Sequence, residues 1–225
     1  MTVEYDLEQE RQFDYTALNK DQMIEHLAKF VAGLWQIHPF CEGNTRTTAI
    51  FTIKYLHSLG FSVNNDMFER HSWYLRNALV RANYRNVRKG INSEPLFLIR
   101  FFRNLLLGET NELKNRYMMI DAPEDWKMPE NEQTENKYRT STEQATEQVR
   151  ALVLSIGKDH LTLKQMMEKM NLKHRPNFID NYLNPAMAGG YVHLLYPDKP
   201  RHPRQKYLLS VKGLALLNEI RTKED

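Results

Sequence analysis

The sequence predicts a mainly α protein: a helical bundle followed by a small α+β unit. Three observations carry that expectation. In the first half, apolar residues recur at helical spacing between side chains that suit helix ends. Over residues 118–142 this pattern gives way to a polar stretch with two prolines, which reads as a linker. After Gly189 and Gly190, "YVHLLYPDKPRHPRQKYLLS" alternates like two short strands joined by a proline-rich, basic turn.

Taken in order, Asn19 and Gln22 have the spacing of a capping box, each side chain serving a backbone N–H of the other. Ile24, Leu27, Ala28, Val31, Leu34 and Trp35 then form the buried stripe of a first helix, and Pro39 stops it near His38. A second helix runs from Asn44 to about Ser58, burying Ala49, Ile50, Ile53 and Leu56, with Gly60 ending it. A third spans about Asp66 to Arg85, with Glu69 placed to return the cap. A fourth has Ser93 as its cap, Pro95 in its first turn and Gly108 just past its end. The second half predicts a helix over 143–156, a shorter one opened by Thr162, and another from Pro176 to Ala188. The hairpin follows, and a short helix from Val211 closes the chain. Three helices and a hairpin match the order of a winged helix. The expected division is therefore a helical core over 1–117, a linker over 118–142 and a winged-helix-like unit over 143–225. An ordered loop packed on the bundle is the alternative for the middle segment, because Trp126 needs a surface to rest on.

Composition narrows the class. The 225 residues are 41% hydrophobic and 26% charged, ordinary values for a globular chain with a real core. A formal net charge of +3 does not by itself argue for nucleic acid. Cys41 is the only cysteine, which excludes an intrachain disulfide and a cysteine-cluster metal site. The first ten residues are acidic and lack an apolar signal core, and no run approaches the roughly 18 apolar residues of a membrane helix. The expected address is cytoplasmic, with no membrane partner.

The chemistry concentrates in "QIHPFCEGNTRTTAI", residues 36–50. Backbone N–H groups at the start of the Asn44 helix have no intrahelical acceptor, and the helix dipole favours an anion there. Gly43 presents no side chain to keep phosphate oxygens away. Glu42 can hold a magnesium ion whose shell is completed by phosphates and water. Arg46 brings a planar fork suited to phosphate oxygens. His38 carries an imidazole that can take a proton from an attacking hydroxyl. Phe40 reads as an apolar anchor that locks the loop. Each residue also has a plainer role: His38 or Asn44 as a helix cap, Glu42 and Arg46 as a surface ion pair, Cys41 as a bystander. Only their combination points to displacement at phosphorus.

This stretch resembles the signature of the Fic family, H-x-F-x-[DE]-G-N-G-R-x-x-R, matching it at His38, Phe40, Glu42, Gly43, Asn44 and Arg46. Thr45 stands where the family usually has glycine, and Ala49 replaces the second arginine. The resemblance extends over roughly residues 12–116, and the second unit is similar to the winged-helix extension behind some bacterial Fic domains. It implies a protein adenylyltransferase, moving AMP from ATP to a Ser, Thr or Tyr hydroxyl of a target protein with release of pyrophosphate. On that pattern His38 is the general base, Glu42 holds Mg2+, and Gly43, Asn44, Thr45 and Arg46 form the phosphate cradle. Phe40 inherits the anchoring role, and Asn83 faces the nucleoside unless it is an ordinary helix-end asparagine. Arg76 and Arg81 are candidates to replace the missing second arginine.

Only 37 residues precede His38, so either the chain is a fragment or the β-hairpin flap that family members use to align a target segment is reduced, with at most a remnant such as "TVEY". The family's inhibitory motif, [ST]-x-x-x-E-[GN], is not found, since Glu42, Glu130 and Glu135 lack Ser or Thr four residues earlier. In the second unit, Lys199, Arg201, Arg204 and Lys206 sit on the candidate wing, and Lys173, His174 and Arg175 precede its recognition helix. DNA contact through these residues is one reading and protein docking the other. A DNA-binding regulator or nucleotide sensor with an inactive Fic core is therefore the alternative function, and homodimer formation stays open.

Overall fold

The computed structural model describes residues 3–121, 123 and 145–222. Most of the expected linker, with Trp126 and the Glu130 and Glu135 positions, lies outside the described residues, as does Thr2 of "TVEY". Contacts group the chain into two compact units that are not consecutive stretches. One comprises Met1–Gln12, Ile24–Ile53 and Val63–Glu143, the other Phe13–Met23, Lys54–Ser62 and Gln144–Asp225.

The first unit is helical. It contains α1 (Val3–Arg11), most of α2 (Lys20–Gln36) and of α3 (Asn44–Ser58), then α4 (Asp66–Arg70), α5 (Ser72–Asn83) and α6 (Leu96–Leu107). The expected capping box opens α2: Asn19 N–H donates to Gln22 Oε1 (3.0 Å) and Gln22 N–H to Asn19 Oδ1 (2.9 Å). Ile24, Leu27, Ala28, Val31 and Trp35 are buried as its periodicity requires. Tyr74, Leu75, Ala78 and Leu79 of α5 and Phe97, Leu98, Phe101 and Phe102 of α6 complete the core.

Four local expectations are corrected. The helix predicted from Asp66 to Arg85 is two helices, α4 and α5. At His71 the chain unwinds for one residue (φ −116°, ψ 29°), and its N–H is shared between the Met67 and Glu69 carbonyls. Asn64, not Glu69, serves the start of α4, its Oδ1 accepting from Asp66 N–H (3.0 Å). At α6 the Glu94 carboxylate, rather than Ser93, accepts from Leu96 N–H (3.0 Å); Gly108 ends the helix in the left-handed region as expected (φ 69°). The inward row of α3 is also different. Asn44, Thr52 and Leu56 are buried while Ile50 is 56% exposed. Thr52 tolerates this because its hydroxyl donates to Thr48 C=O (2.7 Å).

The second unit contains α7 (Glu147–Ile156), α8 (Leu163–Lys169) and α9 (Arg175–Phe178). A π-helical segment (Ile179–Leu183) continues α9 into α10 (Asn184–Ala188). Strands β1 (Val192–Leu194) and β2 (Tyr207–Leu209) and helix α11 (Val211–Thr222) follow. Thr162 caps α8 in a full capping box with Gln165. The strands pair antiparallel with Val192 opposite Leu209. Leu161 adds a one-residue bridge to Tyr207, exchanging hydrogen bonds of 3.0 and 2.7 Å. The order helix, bridge, helix, helix, strand, wing, strand is that of a winged helix, around a core of Leu152, Ile156, Phe178, Leu183, Leu209 and Leu217. Gly213 is obligatory, because a Cβ there would meet the Tyr191 carbonyl oxygen at 2.1 Å. The segment after Gln12 joins this unit because Asn218 of α11 donates to the carbonyls of Thr16 (3.0 Å) and Leu18 (2.9 Å).

Candidate functional site

The candidate site is the turn between α2 and α3. Helix α2 closes with Ile37 N–H on Leu34 C=O (3.3 Å) and His38 N–H on Trp35 C=O (3.2 Å). His38 then takes a left-handed conformation (φ 46°), rare for a residue with a Cβ, and Pro39 prevents the helix from resuming. Gly43 is also left-handed (φ 78°), where a side chain would be strained, and it turns the chain into α3. Between these two reversals the loop is closed by one side chain. Asn44 Oδ1 accepts from Phe40 N–H (3.0 Å) and Asn44 Nδ2 donates to Phe40 C=O (2.7 Å). Asn44 is 8% exposed.

This fastening corrects one role. The Phe40 ring is 52% exposed and does not anchor the loop; its backbone does, through the Asn44 amide. The Asn44 side chain is accordingly committed to the loop's own backbone. What α3 offers an anion is the row of first-turn N–H groups, since the helical ladder begins with Thr47 N–H on Gly43 C=O (2.9 Å). Glu42 and Arg46 are exposed on either side of Gly43, and Cys41 is exposed between Phe40 and Glu42.

His38 is exposed and keeps its ring over the end of α2. Its Nδ1 lies 3.3 Å from Gln36 C=O. A carbonyl can only accept, so Nδ1 is the donor in this bond, and in the neutral imidazole Nε2 is then the ring nitrogen that can accept a proton. The imidazole also meets the Trp35 indole edge-to-face, with centroids 4.5 Å apart and planes at 67°. Thr45 Oγ1 accepts from Trp35 Nε1–H at 3.0 Å. Trp35 and the use of the Thr45 hydroxyl were not assigned by sequence reasoning. The available signals were a tryptophan three residues before the histidine and a hydroxyl where the family places glycine.

The remaining assigned residues are held elsewhere in the first unit. Asn83 Nδ2 donates to Ala32 C=O and Leu79 C=O, both at 3.0 Å, so its amide tethers the end of α5 to α2. The Arg76 guanidinium lies 5.7 Å over the Trp73 ring. Arg81 donates to Asn92 C=O (3.3 Å) and lines a cavity of about 350 Å³ with Val80, Tyr84 and Met118. Among the described residues neither arginine makes a hydrogen bond or ion pair with the motif loop. Ala49 is half-buried in α3 and presents no charge.

Glu42 fits a magnesium ion only in company. Among the described residues no group of three or more His, Cys, Asp or Glu could hold a metal. A single exposed carboxylate beside a helix N-terminus suits an ion that takes most of its shell from phosphates and water. Among the described residues no helix is long and apolar enough to cross a membrane.

Comparison with known proteins gives two family matches. Residues 2–56, which include the whole motif loop, match the Fic/DOC family. Residues 147–210 match the C-terminal domain of the Fic-like proteins described as filamentation induced by cAMP. No curated protein matches the chain. Among solved structures, a Fic family protein from Desulfovibrio desulfuricans G20 is 22% identical with a TM-score of 0.31, over 88% of this chain and 50% of that one. The chain thus spans half the length of that protein. With the motif loop built as described and both segments matched, the chain belongs to the Fic family and carries a Fic-like C-terminal domain.

Proposed function

We propose that the protein is a Fic-type protein adenylyltransferase that uses ATP and Mg2+. Fic domains generally transfer nucleotidyl groups to proteins. The observation that carries the reading for this chain is the motif loop. Two left-handed turns and the Asn44 amide hold an exposed histidine at one end of the loop and the first turn of α3 at the other, which supports the reading.

The chemistry follows from those groups. The first-turn amides of α3, with Gly43 and Arg46, bind the phosphates, and the helix dipole adds to the attraction. Glu42 would hold a magnesium ion together with those phosphates, and such an ion would supply neutralising charge for the departing pyrophosphate. The target hydroxyl oxygen attacks the α-phosphorus as His38 Nε2 takes its proton. The bond to the bridging oxygen breaks, pyrophosphate leaves, and AMP remains esterified to the target. Thr45 lies within the cradle, and its backbone N–H belongs to the same first turn. A cytoplasmic setting would supply both ATP and protein targets.

The test is incubation with Mg·ATP labelled on the adenine, followed by a search for label on proteins of a lysate and on the chain itself. Removal of a positioned general base typically costs about 10²–10⁴-fold. His38→Ala should lower transfer by that range with the melting midpoint unchanged. Transfer that persists in His38→Ala, or a wild-type chain that labels nothing, overturns the reading.

Duplex DNA is a second partner class, proposed for the C-terminal unit. The wing exposes Lys199, Arg201 and Arg204, and Lys173 and Arg175 flank the start of α9. Binding of the full chain to duplex DNA should then weaken steeply with salt, as phosphate contacts require. Salt-insensitive binding, or none, favours protein docking instead.

A further inference from the structure

Thr45 departs from the family signature in a way that the fold puts to use. It is the second residue of α3, and its hydroxyl accepts the indole N–H of Trp35, on the last turn of α2, at 3.0 Å. Trp35 is 8% exposed, so its indole is packed on one side and bonded on the other. The same indole meets the His38 imidazole at 4.5 Å, and the Trp35 carbonyl accepts the His38 N–H at 3.2 Å. His38 needs such support. A left-handed backbone at a residue with a Cβ is strained and persists only where the surroundings hold it. A glycine at position 45 could not supply this acceptor.

We propose that Thr45 and Trp35 are positioning residues for His38, tying the base on the end of α2 to the phosphate-binding first turn of α3. This rests on the adenylyl-transfer reading for its catalytic consequence, but not for its geometry. The pair sets one distance, that between Nε2 of His38 and the amides that hold the α-phosphate. The departure from glycine is thus part of how this chain builds its site.

The experiment uses the full chain with Thr45→Val, Thr45→Ser and Trp35→Phe. Valine keeps the shape and removes the acceptor; serine keeps the acceptor. By NMR, Thr45→Val should move the Trp35 indole N–H resonance upfield and shift the His38 ring protons as they leave the indole ring current. Thr45→Ser should retain both signals. Trp35→Phe should reduce the His38 ring-current shift while keeping an aromatic ring in place. In transfer assays Thr45→Val should lower kcat about ten- to a hundredfold, the scale of a small misplacement, with little change in KM for ATP. Serine should restore it. His38 resonances that stay put in Thr45→Val overturn the proposal, as does a normal kcat despite shifted resonances. A wild-type chain that shows the NMR response yet transfers nothing refutes the adenylyltransferase reading and leaves the positioning geometry standing.

Discussion

The motif loop of the first unit and the wing of the second are fastened by the same device. In each, one side-chain amide bonds both backbone groups of a residue across the loop, as a strand partner would. Asn44 does so to Phe40, and Gln205 to Tyr196, accepting from its N–H at 3.0 Å and donating to its C=O at 2.9 Å. The difference lies in depth and in what the loop then displays. Asn44 is buried, and its loop contains the left-handed His38 and Gly43 with acid, base and guanidinium packed into nine residues. Gln205 is only half-buried and also reaches the carbonyls of Lys199 and Pro200 at 3.3 and 3.4 Å. Its loop is longer, and the Tyr196 and His202 rings meet within it at 4.2 Å, tilted by 38°. A buried clasp holds a few groups at fixed separations, which chemistry needs. An exposed clasp shapes a charged surface, which docking needs.

The comparison is broken most strongly at Asn44. Asn44→Ala strands the Phe40 N–H and C=O in a partly buried turn, at a cost of about 1–3 kcal/mol. Both a lower melting midpoint and a loss of transfer comparable to that of His38→Ala are expected. A variant with normal activity would mean that the clasp is not what holds the site together.

Ala49→Arg sharpens the account of the same loop. In the family an arginine at this position reaches the outer phosphates, and a charge-assisted contact is worth roughly 1.5–3 kcal/mol. Affinity for ATP at matched Mg2+, measured by calorimetry, should rise about ten- to a hundredfold. An unchanged affinity would show that another cation already holds those phosphates.

Gln205→Ala should do far less. Water can replace the lost bonds at an exposed turn, so the expected stability loss is at the lower end of the range for one hydrogen bond, about 0.5 kcal/mol. Hydrogen exchange at the Tyr196 amide should accelerate, while adenylyl transfer stays at the wild-type rate. A loss of transfer as large as that of Asn44→Ala would erase the distinction between the two clasps.

The smallest effect is one of pH. Burial pushes the His193 imidazole in β1 below its ordinary value of 6.5; His160 acts in the same direction, and hydrogen bonds to the backbone at Leu194 and Leu209 oppose it. The folded state therefore binds this proton less readily than the unfolded chain. Its contribution to stability is full above pH 6.5 and is lost as pH falls through the lowered value. The melting midpoint should drop between pH 7.5 and 5.5, and His193→Gln should flatten that drop. An identical pH profile in the variant would remove His193 from the account.

Helix ends proved the most readable part of the sequence. The Asn19–Gln22 and Thr162–Gln165 boxes, the stop before Pro39 and the left-handed Gly108 each depend on residues within about four positions of one another. The presence of two short strands around a basic turn was legible in the same local way, whereas their register was not read from the sequence. The motif was legible as a set of residue types, and so was the turn that joins α2 to α3. The break at His71 was not, because nothing in "DMFERHSWY" forbids a continuous helix; Phe68 and Tyr74 on either side of it are both buried.

What the sequence by itself determined is the order of the helices, the position of the phosphate-type loop and the presence of a basic winged unit. Tertiary structure alone decided how those residues are spent. It turned α3 so that Thr52 faces inward and Ile50 outward, exposed Phe40, and used Asn44 to clasp the loop. It tied Asn83 to Ala32, joined Trp35 to Thr45, and recruited Thr16 and Leu18 to α11 through Asn218. The physical reason is one of range. Propensity, capping and turn chemistry are set by neighbours in the chain, whereas burial and the pairing of side-chain amides and hydroxyls depend on which distant backbone groups arrive beside them.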